Sequence, residues 1–285
     1  MLRRRFIAVA LLLPALLLDA PARAENDAPA DLVLVRQGTL PIILTVPHGG
    51  HRQIPGVEAR DTRGKPGGRG SLWAGYKTST DANTDILAQR IAAEIRRITG
   101  KSPYLVIAKF ARKYIDVNRP PEIALDNPAA RPYYDYYHNT IRRFIDEIRG
   151  NYPAGLLVDV HGQSDDPDVV MRGTRNGGSV AQLLKRAGFP AVTGPNGIFG
   201  QLEVNGFKVF PGNNVPPLGK YENAGLNGGY TVAIYGSDTA NGIDAVQMEF
   251  GSRYRQKAVL DQSGTDAGKA IAGFYAAYLK EGAGK

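Results

Sequence analysis

The sequence predicts a single α/β domain built on a mainly parallel or mixed central sheet flanked by helices. Three observations carry that expectation. Short apolar runs alternate with stretches of helical periodicity along most of the chain, as when strands feed crossover helices. The two best buried runs, Pro41 to Val46 and Leu156 to Val160, are mostly apolar rather than alternating, which suits strands covered on both faces. The 285 residues include no cysteine, so no disulfide can staple the fold and a large buried core must hold it.

The chain opens with a targeting pattern. Arg3, Arg4 and Arg5 form a positive start, Phe6 to Leu18 an apolar stretch and Ala22-Arg23-Ala24 a small-residue cleavage site. The apolar stretch is shorter than the roughly 20 residues of a membrane span. Residues 1–24 therefore read as a signal peptide and 25–285 as one domain, exported to the periplasm or secreted. Arg3-Arg4-Arg5-Phe6-Ile7 resembles a twin-arginine signal, and the Leu-rich core fits unfolded export equally well. Cleavage takes the formal charge from +8 to about +5. That surplus does not argue for nucleic acid, and it suits anionic small molecules or an anionic cell surface. No later stretch is long and apolar enough to span a membrane.

After a leader at Glu25 to Ala30, Leu32 to Val35 and Ile42 to Val46 read as two strands joined tightly through Gly38-Thr39. His48 to Tyr76, rich in Gly, Arg and Pro, reads as a long functional or disordered loop. Ile86, Leu87, Ile91, Ile95 and Ile98 predict a helix ended by Gly100. Tyr104 to Ala108 is the next strand, and Tyr133 to Arg149 a helix with Tyr137, Ile141, Phe144, Ile145 and Ile148 on one face. Strands at Leu156 to Val160 and Val169 to Met171 precede a helix near Val180 to Arg186. The Gly/Asn/Pro-rich stretch from Gly194 to Gly229 reads as an insertion walling the site. Thr231 to Tyr235 and Ala245 to Phe250 read as closing strands, and Ala267 to Leu279 as a terminal helix.

Two of the four histidines follow the best buried strands, in Pro47-His48-Gly49-Gly50 and Asp159-Val160-His161-Gly162. In open α/β sheets ligands bind where such strands leave the sheet. Asp159, two residues before His161, shares its face and can orient its ring, as carboxylates do behind zinc ligands. A hydrolytic zinc site takes three protein ligands and leaves one position open. Asp81 and Asp85 are the carboxylates considered for the third place, with helix capping as their ordinary alternative. His51 reads as solvated. Arg112 and Arg119, with Asn118 between them, offer donors for a substrate carboxylate. Glu249 lies in an apolar strand, where a desolvated carboxylate suits a general base; its ordinary alternative is an ion pair with Arg253 or Arg255.

Pro47-His48-Gly49-Gly50, Asp81 to Asp85, Arg112…Asp116-Val117-Asn118-Arg119, Tyr137-His138, Asp159-Val160-His161-Gly162, Gly228-Gly229-Tyr230 and Gln247-Met248-Glu249 together resemble the N-formylglutamate amidohydrolase family. The order of these motifs carries the resemblance, which spans Val46 to Tyr254. It implies a fold related to the zinc carboxypeptidases and one zinc ion per chain that activates water. It further implies His48 and His161 as zinc ligands; the zinc carboxypeptidases place a Glu three residues after the first His, where this chain has His51, and the acidic role is here assigned to Asp81, with Asp85 in reserve. Glu249 would be the general base, and Asn118 and Arg119, with Arg112 beside them, the grip on a substrate carboxylate. His138 either faces the site or lies on a helix surface. The expected activity is cleavage of an amide next to a free carboxylate in an N-acyl or N-formyl amino acid or a peptide-like substrate. The alternative is a periplasmic binding protein that keeps the carboxylate pocket without the chemistry.

Overall fold

The computed structural model describes residues 27–61 and 76–280. The signal segment expected at 1–24 and the Gly/Arg-rich stretch 62–75 lie outside the described residues. In chain order come α1 (Asp27–Leu32), β1 (Val33–Arg36), β2 (Ile42–Val46), α2 (Thr84–Thr99), β3 (Tyr104–Ala108), α3 (Pro121–Ala124), α4 (Arg131–Asn151) and β4 (Leu156–Gln163). Then follow β5 (Val170–Gly173), α5 (Ala181–Ala187), α6 (Pro190–Thr193), α7 (Ile198–Val204), β6 (Val209–Phe210), α8 (Tyr230–Tyr235), β7 (Asp244–Gly251) and α9 (Leu260–Tyr278).

The strands make one seven-stranded sheet in the order β1-β3-β2-β4-β7-β5-β6. The middle four are parallel, while β1 runs antiparallel to β3 and β5 antiparallel to β7. This is the mixed α/β sheet the alternation of elements predicts. After β2 the chain moves to β3 on one side, and after β3 it returns to β4 on the other. The carboxyl end of β2 therefore marks a crevice where the winding reverses, the usual ligand position in such sheets.

Alternation along the strands sorts the core into two faces. Ile42, Leu44, Val46, Val158, Val160, Val246 and Met248 pack with α2, α7 and α9. Ile43, Val106, Leu157 and Ala245 pack with α4 and α8. On this second face the strands turn polar toward their carboxyl ends. Thr45, Asp159 and Gln247 stand abreast, and His161 stands beside Glu249 one step further on. A face that is apolar below and ionisable above seats a reactive cluster on rigid strands. Phe144 of α4 is fully buried under that face, its ring 4.7 Å from that of Tyr104. Phe144→Ala is expected to cost about 3–5 kcal/mol, read as a lower urea midpoint.

Four expectations are corrected. Leu32–Val35 and Ile42–Val46 are not neighbours, because β3 lies between them. β2 is buried along its whole length and takes the apolar β3 as partner, whereas half-exposed β1 suits the sheet edge. The leader is helical from Asp27 and packs against α4. Thr231–Tyr235 is helix, not strand: Thr231 donates its backbone N–H to Asn118 Oδ1, satisfying a free donor at the helix start and overriding the β-branched composition. The terminal helix begins at Leu260 rather than Ala267, since Gly264 and Gly268 let it lie close on Arg90 and Glu94 of α2.

Candidate metal centre

Three side chains from separate segments meet at the carboxyl edge of the sheet. His48 follows β2, Asp81 precedes α2, and His161 lies within β4; all three are buried. One ligand atom from each of the three lies within 4.8 Å of the other two. The backbone assembles them directly, since Asp81 donates its N–H to the His48 carbonyl at 3.0 Å. Gly49 allows the approach: a Cβ there would come within 2.6 Å of the Asp85 backbone nitrogen.

Each imidazole is held from behind by a buried carboxylate. His48 Nε2 lies 2.7 Å from Asp116 Oδ1, and His161 Nε2 lies 2.9 Å from Asp159 Oδ2. Thr45 donates to the other Asp159 oxygen at 2.6 Å, and Arg112 engages the other Asp116 oxygen at 2.8 Å. With Nε2–H given to these carboxylates, each Nδ1 presents a lone pair. Both point at Asp81 Oδ2, 3.2 Å from His161 and 3.5 Å from His48. His48 Nδ1 is buried and has no hydrogen-bond partner. Two lone pairs and a carboxylate oxygen facing one another repel unless a proton or a cation lies among them. The nitrogen–nitrogen–oxygen set, braced from behind, fits a divalent metal with an open position, and zinc by its donors.

The electrostatics agree. Burial would lower the His161 pKa, but Asp159, Glu249 and Asp81 together lift it well above the ordinary range. Burial would raise the Asp81 carboxyl, yet the adjoining His161 and His48 imidazoles pull it well below the usual carboxylate range. Asp116 is likewise held low, against burial, by Arg112 and then His48. The pocket favours positive charge at its centre.

Glu249 stands beside His161 in the sheet, its Oε1 3.9 Å from Nδ1. Gln247 Nε2 donates to that same oxygen at 2.7 Å. Burial, aided by Asp81 and Asp159 against His161 and Arg112, pushes the Glu249 carboxyl up to about 7. The ion pair with Arg255 considered as its ordinary alternative is not what occupies that arginine, whose guanidinium bonds backbone carbonyls of Phe250, Ala82 and Gln163.

These residues line a cleft of about 910 Å³ that Arg112, Asn118 and Arg119 also border. Arg119 donates to the Asn118 carbonyl, and its buried Nε has no partner. Asn118 is partly committed: its Oδ1 accepts from Thr231 and its Nδ2 faces His161 Nε2 at 3.2 Å. Arg112 is committed further, binding Asp116 through both Nε and Nη2. Its evident work is to steady the carboxylate behind His48. The far wall comes from residues 220–229 of the insertion. There buried Glu222 accepts from Arg172 and from the backbone of Thr174 and Asn176, fastening the wall to β5.

Two other histidines stand apart. His51 is exposed. His138 is neither in the cleft nor on a helix surface: it is buried between the Val117 carbonyl and the Tyr235 hydroxyl, and burial lowers its pKa to about 4, so it stays neutral. The sequence reading gave no role to Asp116 or Thr45. No local pattern marks Asp116, since residues 112–116 are not helical, whereas Thr45 stands out as the one polar residue of β2.

Between the two acidic candidates the geometry separates clearly. Asp85 lies in α2's first turn and is not part of the trio. Asp81→Ala is expected to lose retained zinc during dialysis, while Asp85→Ala keeps about one zinc per chain, as metal analysis would show.

No family model and no curated protein matches the sequence. Solved structures do match. The crystal structure of N-formylglutamate amidohydrolase from Ralstonia eutropha aligns with a TM-score of 0.53 at 16% identity, over 84% of this chain and 96% of that one. A gene product from Agrobacterium tumefaciens aligns with a TM-score of 0.52 at 16% identity, over 86% of this chain and 96% of that one. The chain thus has the fold of an N-formylglutamate amidohydrolase, with the buried His48, Asp81 and His161 group at the carboxyl edge of its parallel strands.

Proposed function

We propose that this protein is an exported zinc-dependent amidohydrolase, cleaving an amide bond adjacent to a free carboxylate in an N-acyl or N-formyl amino acid or a peptide-like substrate. The observation that carries the reading is the braced His48–Asp81–His161 set with Glu249 beside it. The fold shared with N-formylglutamate amidohydrolase supports the reaction class. Export rests on the signal pattern of residues 1–24; among the described residues no helix is long and apolar enough to cross a membrane.

His48, Asp81 and His161 would hold the zinc, which when bound supplies Lewis acidity to polarise an amide carbonyl and acidify water toward a pKa of about 7. Glu249 takes the proton from the attacking water and delivers it to the departing amine. Gln247 keeps the Glu249 carboxylate oriented toward the cleft by donating to one of its oxygens. Arg119, with its unpartnered Nε, receives the substrate carboxylate, and Asn118 borders the same cleft. Metal analysis together with amine release from a panel of N-acyl amino acids and short peptides tests the whole reading. About one zinc per chain and metal-dependent turnover are expected; a zinc-free protein inert to every substrate would sink it.

Arg119 can be tested alone. A charge-assisted hydrogen bond is worth about 1.5–3 kcal/mol, so Arg119→Ala should raise KM roughly ten- to a hundredfold with a smaller effect on kcat. An amidated substrate should be poor for the parent and nearly as good for the variant. An unchanged ratio between acid and amide substrates would leave Arg119 a structural residue.

A further inference from the structure

Arg255 is far in sequence from Asp81 and His161, yet its guanidinium bonds the segments that carry Asp81, His161 and Glu249. Its Nη1 donates to the Ala82 carbonyl at 2.6 Å, one residue after Asp81. Its Nη2 donates to the Gln163 carbonyl at 3.0 Å, two residues after His161. Its Nε donates to the Phe250 carbonyl at 3.0 Å, next to Glu249. The tie runs both ways, because Asn83 Nδ2 donates to the Arg255 carbonyl at 2.8 Å. The guanidinium is buried and borders the cleft. It lies against Gly162, where a Cβ would collide with its Cζ, Nε and Nη1.

We infer that Arg255 is the positioning residue of the metal centre, a planar cation that clamps the Asp81 turn to the ends of β4 and β7. The inference rests on the metal-site reading above. Three carbonyls in three segments demand a rigid fork of donors, which a lysine ammonium cannot present. Other bonds also hold the turn at 81–83, from the Asp81 N–H to the His48 carbonyl, from Thr84 to the Asp81 carbonyl and from the Gly162 N–H to Asp81 Oδ2, but Asn83 sits at φ 66°, in the left-handed region, and its side chain makes no cap to α2. Asp81 would otherwise ride on a short irregular turn, while His161 and Glu249 ride on strands. Arg255 couples the turn that carries Asp81 to the strands that carry the other two. Gly162 follows from the same geometry, since only a residue without Cβ leaves room for the guanidinium behind His161.

The test is zinc affinity, measured by competition with a chromogenic chelator, in the full mature chain. Arg255→Lys and Gly162→Ala should each bind zinc about ten- to a hundredfold more weakly, the range seen when groups behind metal ligands are altered. Methylguanidinium added to Arg255→Ala should restore part of the affinity, a response a general loss of stability cannot give. Phe144→Ala, destabilised far from these segments, should keep parental affinity. Parental affinity in both Arg255→Lys and Gly162→Ala would overturn the assignment, as would an equal loss in Phe144→Ala. A parent chain that binds no zinc would instead overturn the metal site itself.

Discussion

His161→Ala should leave a folded protein that retains almost no zinc after dialysis, against about one per chain in the parent, and has no measurable amide hydrolysis. Two losses combine. One of three protein donors disappears, and a structural set of three is already the minimum for a hydrolytic zinc. The Asp159, Asp81 and Glu249 carboxylates also lose the imidazole that stands among them. Buried carboxylates without a partner take up protons instead, and a protonated Asp81 is a poor ligand. His48→Ala should behave alike, because it frees Asp116 and Asp81 in the same way. Two histidine controls separate this from general damage. His51→Ala should be silent, since the ring is solvated. His138→Ala should lower the melting temperature without changing zinc content, since its bonds go to Val117 and Tyr235. Full zinc occupancy in both His48→Ala and His161→Ala would end the case for this centre.

The histidines were legible because strand ends announce themselves: an apolar run followed by His-Gly places an imidazole at the sheet's carboxyl edge whatever the remaining fold. The same logic made the sheet readable, since β2, β3, β4 and β7 are apolar runs of strand length. What local pattern could not show is pairing across the chain. β1 and β2 look like a hairpin until β3, some seventy residues on, slides between them. The α8 segment looks like a strand until Asn118, 113 residues earlier, caps it as a helix. Arg112 looked free to bind substrate, because nothing in a sequence says that Asp116, four residues on, would fold back onto it. Arg255 was hidden most deeply. Its partners are backbone carbonyls, which every residue has, so no side-chain motif could mark them. The sequence thus shows which groups have chemistry to offer, and the fold decides which of them are already engaged.

The second large effect is expected at Glu249. Glu249→Gln preserves volume and keeps an oxygen for the Gln247 amide to donate to, so the sheet and the neighbouring His161 need not move. Zinc content and melting temperature should stay near parental. Proton transfer is lost, and turnover should fall by about 10²–10⁴ or more, carried by kcat rather than KM. The pH profile gives an independent reading. A general base must be ionised, so kcat/KM should rise with pH through the Glu249 pKa and then level. Burial and then the nearby Asp81 and Asp159 place that pKa at about 7 in the metal-free chain, with His161 and Arg112 opposing them. A divalent cation held by His48, Asp81 and His161 stabilises the carboxylate, so the acid limb of the zinc-loaded enzyme should lie below about 7. In Glu249→Gln the residual activity should lack that limb. A variant that turns over at the parental rate, or one that keeps the same acid limb, would show that another group moves the proton and that Glu249 serves only to balance charge beside His161.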